Sequence, residues 1–225
     1  MRALSAGGMV VFAFTVTFAA IDWLMSLDAR WYSTIFGAYI FAGGTLAALA
    51  FITLFGLYLR GKDVLSETIT VEHYHDLAKL TFTFIILWGY FAFSQYLLIW
   101  YGNIPEETNW YLLRWGGWWT FITMLIVYGH FVIPFAVYIS RAGKRNFAVL
   151  KIMAIWVLFI HWVDLYWIVT PDPEKKTVFF SWMDLAAILG IGGIFLWYFW
   201  KRVVANPLVT VNDPRLQASI EFINE

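Results

Sequence analysis

The chain has 225 residues, 61% of them hydrophobic and only 13% charged, against about 25% charged in an ordinary soluble domain. Lys+Arg and Asp+Glu balance at 15 each, which removes any electrostatic case for a nucleic-acid partner. With no cysteine, Cys-ligated Fe–S clusters, c-type haem attachment and disulfides within these residues are excluded.

The solvent that fits this composition is lipid, which a helix crosses with roughly 17–25 apolar residues. Six runs reach that length. They are too continuous for soluble core helices and lack the polar–apolar alternation of barrel strands. The expected fold is an all-α integral membrane protein. Six transmembrane helices in four-helix-bundle-like packing occupy residues 1–200, and a polar tail with Pro207 and Pro214 occupies 201–225.

The first span covers roughly residues 7–27. Its apolar run is too long for a signal-peptide core, so it is read as a retained helix. Asp22 lies about a turn and a half inside its far end, and Asp28 closes it at the interface. The second span, 36–59, carries Gly43 and Gly44. A polar link with Arg60, Lys62, Glu67, Glu72, His73 and His75 leads to the third span, 76–101. His73, His75, Asp76 and Lys79 cluster where that span begins. The cluster reads either as the mouth of a proton-uptake path or as a solvated helix start. Ser94, Gln95 and Tyr96 place polar groups deep in the same span.

The fourth span, 117–139, holds His130 near mid-depth and Pro134 four residues later. Proline has no N–H for the His130 carbonyl, so a kink beside an imidazole is expected. That suits a proton relay, a quinone-headgroup contact, or a histidine bonded to a neighbouring helix for packing. In the fifth span, 148–169, His161 and Asp164 are three residues apart and share a helix face. Such a pair exchanges a proton or simply neutralises itself. The sixth span, 182–200, opens on Asp184, where a carboxylate is favourable at a helix N-terminus.

Ionisable groups within lipid are costly and usually face a bundle interior or a wet cavity. The candidate proton path therefore comprises Asp22, Asp28, His73, His75, Asp76, His130, His161 and Asp164. For Asp28 and Asp184, capping and interface solvation is the competing reading. Four histidines without ligand spacing do not announce a metal site. A haem b would need axial histidines at matched depth, and here His130 is expected near mid-depth and His161 nearer the outer face. No nucleotide loop, nucleophile motif or zinc signature is present, so no catalytic residue and no cofactor are assigned to this chain alone.

The basic residues divide unequally between the two ends of the spans. One end has Arg2, Arg60, Lys62, Lys79, Arg141, Lys144, Arg145, Lys151, Lys201, Arg202 and Arg215; the other has Arg30, Arg114, Lys175 and Lys176. The positive-inside rule puts both termini in the cytoplasm, as an even number of spans requires. A weak internal similarity also exists. F-A-A-I-D-W-L-M-S-L-D in the first span and L-F-I-H-W-V-D-L-Y-W in the fifth each precede a Gly-Gly helix, aligning Asp22 with Asp164. This is either a parallel repeat offset by four spans or chance in a Trp- and Phe-rich chain.

Four stretches carry a resemblance. They are D-W-L-M-S-L-D-A-R-W-Y-S-T-I-F-G (22–37), E-H-Y-H-D-L-A-K-L (72–80), F-S-Q-Y-L-L-I-W-Y-G-N-I-P-E-E-T (93–108) and N-D-P-R-L-Q-A-S-I (212–220). In these the chain resembles the F subunit of bacterial alternative complex III, a quinol:electron-acceptor oxidoreductase. More widely it is similar to the NrfD/polysulfide-reductase membrane-subunit superfamily. The resemblance implies four-helix bundles and a multi-pass place in the bacterial cytoplasmic membrane. It also implies a related quinol-binding membrane subunit as neighbour, with Fe–S and haem c carried by further partner subunits. On the same ground Asp22, Asp28, His75, Asp76, His161 and Asp164 are candidate proton-path groups. Family members are about twice as long, and this chain is similar to their C-terminal part, so either the sequence is a truncated piece or the earlier spans are missing.

The expected function is a membrane subunit of a quinol-oxidising complex, structural and proton-conducting, with direct quinol binding or a purely structural scaffold as alternatives. An independent secondary transporter is a further option, but inverted repeats, its best cue, are not seen.

Overall fold

The computed structural model describes residues 2–171, 180–209 and 213–224, apart from the side chains of Arg2 and Ala3. Among them every regular element is helical, and six helices are long and apolar enough to cross a membrane. The protein is an all-α, multi-pass membrane protein. The chain divides into two compact units, Met1–Thr177 and Val178–Glu225. Most of the linker after Thr170, with Lys175 and Lys176, lies outside the described residues, as does Asn212.

The first unit contains α1 (Arg2–Trp23), α2 (Phe36–Arg60), α3 (Val71–Gly102) and α4 (Pro105–Arg114). The fourth span follows as α5 (Trp118–Ile126), a π-helical segment (Val127–Val132) and α6 (Ile133–Tyr138); α7 (Arg141–Arg145) and α8 (Phe147–Val169) complete the unit. Four spans close a ring. Helix α2 packs on α3 and α8, while the fourth span packs on α3 through α6 and on α8 through α5. This is the expected four-helix bundle, and α1 lies outside it against α2. Leu46, Ala50, Ile85, Leu150, Ala154 and Val157 fill its centre. Large apolar residues on the outer faces, among them Phe14, Phe18, Tyr90, Phe93, Phe121 and Ile152, are exposed. In lipid these faces carry no penalty, because acyl chains are as apolar as the side chains.

The ends of the helices show why they stop where they do. Helix α3 starts at Val71, five residues earlier than hydropathy suggests. Thr70 and His73 form a reciprocal cap at its N-terminus, with the Thr70 N–H donating to His73 Nδ1 at 3.2 Å. Such a box satisfies two of the donors a helix start leaves orphaned. Glu72, in the first turn, is fixed by a forked pair with Arg145 of α7, one arm of which is 2.8 Å. Ser140 caps α7 and Asn146 caps α8. Arg60, at the end of α2, lies over the Phe147 ring at 4.5 Å. The 60–70 and 139–146 connections therefore share one end of the bundle.

At the other end, Trp31 stacks on Trp110 with ring centroids 4.3 Å apart, and Trp110 meets Trp167 edge-on at 5.1 Å. Arg114 is buried there. It donates to the carbonyls of Trp110, Trp167 and Ile168 at 2.8–3.0 Å, and its guanidinium sits 3.4 Å from the Trp110 ring. Burial pushes its pKa down to about 9, which still leaves it charged at neutral pH. The Trp167 and Ile168 carbonyls that accept from it are two of the four that α8 leaves without an intrahelical partner at its C-terminus. Gln95 is also at this end, buried between Ser33 and Tyr111 by hydrogen bonds of 3.0 and 3.1 Å. It is thus a tie between connections.

The second unit contains α9 (Trp182–Ala205) and α10 (Leu216–Ile220). Ser181 and Asp184 form a capping box at the start of α9, the Ser181 N–H donating to Asp184 Oδ2 at 2.8 Å. Asp184 is thereby accounted for as a cap.

Candidate functional site

Inside the ring, four side chains from three spans meet. Asp164 and His161 come from α8, His130 from the π-helical segment and Tyr39 from α2. Asp164 and His130 are each 1% exposed and Tyr39 is 4% exposed. At this burial a carboxylate needs a partner, and the Tyr39 hydroxyl donates to Asp164 Oδ1 through a short contact. The second oxygen, Oδ2, faces His161 Nδ1 at 3.9 Å. The rings of His161 and His130 follow, with centroids 5.7 Å apart and planes 75° apart. Trp88 of α3 stacks on His130 with ring centroids 3.8 Å apart.

Backbone features make room for this cluster. A Cβ on Gly43 would stand 2.7 Å from His161 Cε1 and 3.4 Å from Trp88 Cδ1, so α2 lies against the two rings only because residue 43 has no side chain. Gly129, just before His130, packs on Ile160 and Trp156 in the same way. The π-helical segment sits immediately ahead of Pro134. Such bulges arise where the i→i−4 ladder is interrupted, and often at functional sites. Trp156 Nε1 donates to the Gly129 carbonyl at 2.8 Å and satisfies an acceptor inside the segment. The expected kink is therefore a widened turn that carries His130 inward.

Neither ring nitrogen of His130 nor Nδ1 of His161 has a hydrogen-bond partner among the described residues. With Asp164 they offer three ligand atoms within 4.8 Å of one another. His130 and His161 are 31 positions apart, and the different depths expected of them are not found: the packing of α8 on the fourth span brings their rings side by side.

The remaining candidates lie elsewhere. His75 is thirteen positions before Trp88 on α3, or about 20 Å at 1.5 Å per residue. It is buried beside the Glu72–Arg145 pair, and its Nδ1 has no hydrogen-bond partner. His73 is the α3 cap, and Asp76 pairs with Lys79 at 2.6 Å. Both line a cavity of about 340 Å³ whose walls include Ile52, Ile69, Leu77 and Leu80. Asp28 Oδ1 accepts from the Arg30 N–H at 3.1 Å and shapes the turn between α1 and α2. Asp22 is exposed on α1, which packs on the outside of the ring. The aligned Asp22 and Asp164 thus occupy unlike environments.

Tyr39 and Trp88 were not among the sequence candidates. A tyrosine in the otherwise apolar F-G-A-Y-I-F-A-G-G run was the available signal for Tyr39, since a buried phenol needs an acceptor. Trp88 is one of 14 tryptophans and had no such mark. Among known proteins, no family model matches this chain, and no curated protein matches it.

Proposed function

We propose that the chain is a membrane subunit of a quinol-oxidising electron-transfer complex in the bacterial cytoplasmic membrane, and that it supports the complex and conducts protons. The observation that carries the proton role is the series Tyr39, Asp164, His161 and His130 within the spans, buried except for the half-buried His161. Groups that take and give up protons are too costly in lipid to be kept there without use or pairing. Only one oxygen of Asp164 is held by Tyr39; the other faces an imidazole. His75, His73 and Asp76 are the proposed uptake groups at the far end of α3, on the cytoplasmic side with both termini. The place in a quinol-oxidising complex rests on the resemblance of the four sequence stretches. Its neighbours are then a related quinol-binding membrane subunit and separate Fe–S and haem c subunits, with quinone, Fe–S and haem c held by those partners.

The test is Asp164→Asn in the purified complex reconstituted in sealed vesicles. Asparagine keeps the volume and the acceptor for Tyr39 but carries no titrating proton. The proton-to-electron ratio is expected to fall while subunit content and quinol oxidation persist. A wild-type ratio in an assembled Asp164→Asn complex rejects the proton role. Purification of the native chain without haem or Fe–S partners rejects the complex.

A further inference from the structure

The geometry points to a metal site: His130, His161 and Asp164 form a binding site for one divalent transition cation, of which Zn²⁺ fits the donors best. The inference concerns the same cluster as the proton role but does not rest on it. Three donor atoms mutually within 4.8 Å share a point no more than about 2.8 Å from each of them. Zinc–nitrogen and zinc–carboxylate bonds are about 2.0–2.2 Å. The three donor atoms therefore reach an ion by moving inward by at most about 0.8 Å each.

The chemistry of the donors supports this. Two imidazoles and one carboxylate are the set that holds zinc in open, three-ligand sites and iron(II) in facial triads. Asp164 and His161, at i and i−3 on α8, present Oδ2 and Nδ1 toward one another at 3.9 Å. His130 brings the third donor from the facing span. Its ring nitrogens and His161 Nδ1 have no hydrogen-bond partner, and a buried polar atom with none costs free energy. An ion would use two of these lone pairs at once. The surroundings act as an outer shell. Tyr39 holds Asp164 through Oδ1 while Oδ2 faces His161, and Trp88 stacks on His130. Such supports are what tune a metal's ligands. Trp88 on one ring and the Gly43 backbone against the other also leave no slot for a macrocycle, so a single ion is favoured over haem.

The test uses the full chain, in its native complex or alone in mild detergent, stripped with a chelator and titrated with Co²⁺ as a visible probe. One Co²⁺ per chain is expected, with the intense d–d bands of a four- or five-coordinate ion, displaced by stoichiometric Zn²⁺. His161→Gln is expected to weaken binding by at least about 100-fold, beyond the 10–100-fold typical of an outer-shell loss. The faint bands of a six-coordinate ion, or unchanged affinity in His161→Gln, overturn the site. Zinc-edge X-ray absorption of the wild-type protein loaded with one Zn²⁺ needs no variant. Two imidazoles in the shell support the site, and none overturns it. Because binding is read without turnover, the two readings separate. Protein that binds no metal while Asp164→Asn lowers the proton ratio loses only the metal site. Protein that binds metal while that ratio is unchanged loses only the proton role.

Discussion

At the scale of single residues, the cluster depends as much on an absence of atoms as on its polar groups. Gly43 lets α2 approach His161 and Trp88, whereas the next residue, Gly44, has open space where its Cβ would be. Gly43→Ala is therefore expected to destabilise the protein by about 1–3 kcal/mol, the usual cost of overpacking a filled core. Gly44→Ala is expected to cost nothing, since alanine is the better helix former. Detergent- or heat-induced unfolding of the two variants side by side checks this. Gly43 and Gly44 could be seen in the sequence as a pair, but not which of the two mattered. That depends on which face of α2 meets α8, and an apolar helix in lipid has no polar face to mark the other side. The same ambiguity holds for Asp22, which has the local sequence of Asp164 but is exposed where Asp164 is buried. His161 and Asp164 were legible because three residues along one helix always share a face.

At the scale of elements, hydropathy found all six spans and missed what happens at their ends. It placed the start of α3 at residue 76 because Glu72, His73 and His75 look like loop. Capping and the Arg145 pair keep those residues helical, and such long-range pairing is invisible in a local window. Arg114 is the corresponding anchor at the other end of the bundle. Arg114→Leu leaves the Trp167 and Ile168 carbonyls unpaired and is expected to cost roughly 2–6 kcal/mol, at 1–3 per stranded buried group. Arg114→Lys is expected to recover only part of this, since an ammonium lacks the planar fork. Unfolding midpoints of both variants decide the point. Pro134 foretold a disturbance in the fourth span, and the structure shows it as the π-helical segment Val127–Val132. A π-bulge amounts to one residue inserted in an α-helix. Deleting Val127 is therefore expected to preserve folding, because the flanking faces at Trp119 and Tyr138 keep their register. A deletion elsewhere in the span rotates one flank by about 100°. The same variant is expected to lose Co²⁺ binding, because the turn that presents His130 inward is gone.

At the scale of the whole first unit, the even alternation of the spans was legible and the ring was only half so. Short connections imply neighbouring antiparallel helices, which accounts for α2 on α3, α3 on the fourth span, and the fourth span on α8. The closing contact of α8 on α2 joins the first and last members of the ring, and no local signal in the chain encodes it. The cluster lies across that closure, with Tyr39 on one side and Asp164 on the other, and for this reason it could be read only in part. The closure has a further consequence for the unit's history. The chain enters the ring at Phe36, beside Trp31, and leaves it past Trp167, both at the same end. A four-span module that starts and finishes on one face can be duplicated in tandem with every copy in the same orientation, needing only a short linker along that face. Gene duplication of such a module yields parallel copies, never inverted ones, and each copy is free to keep or lose its own buried carboxylate.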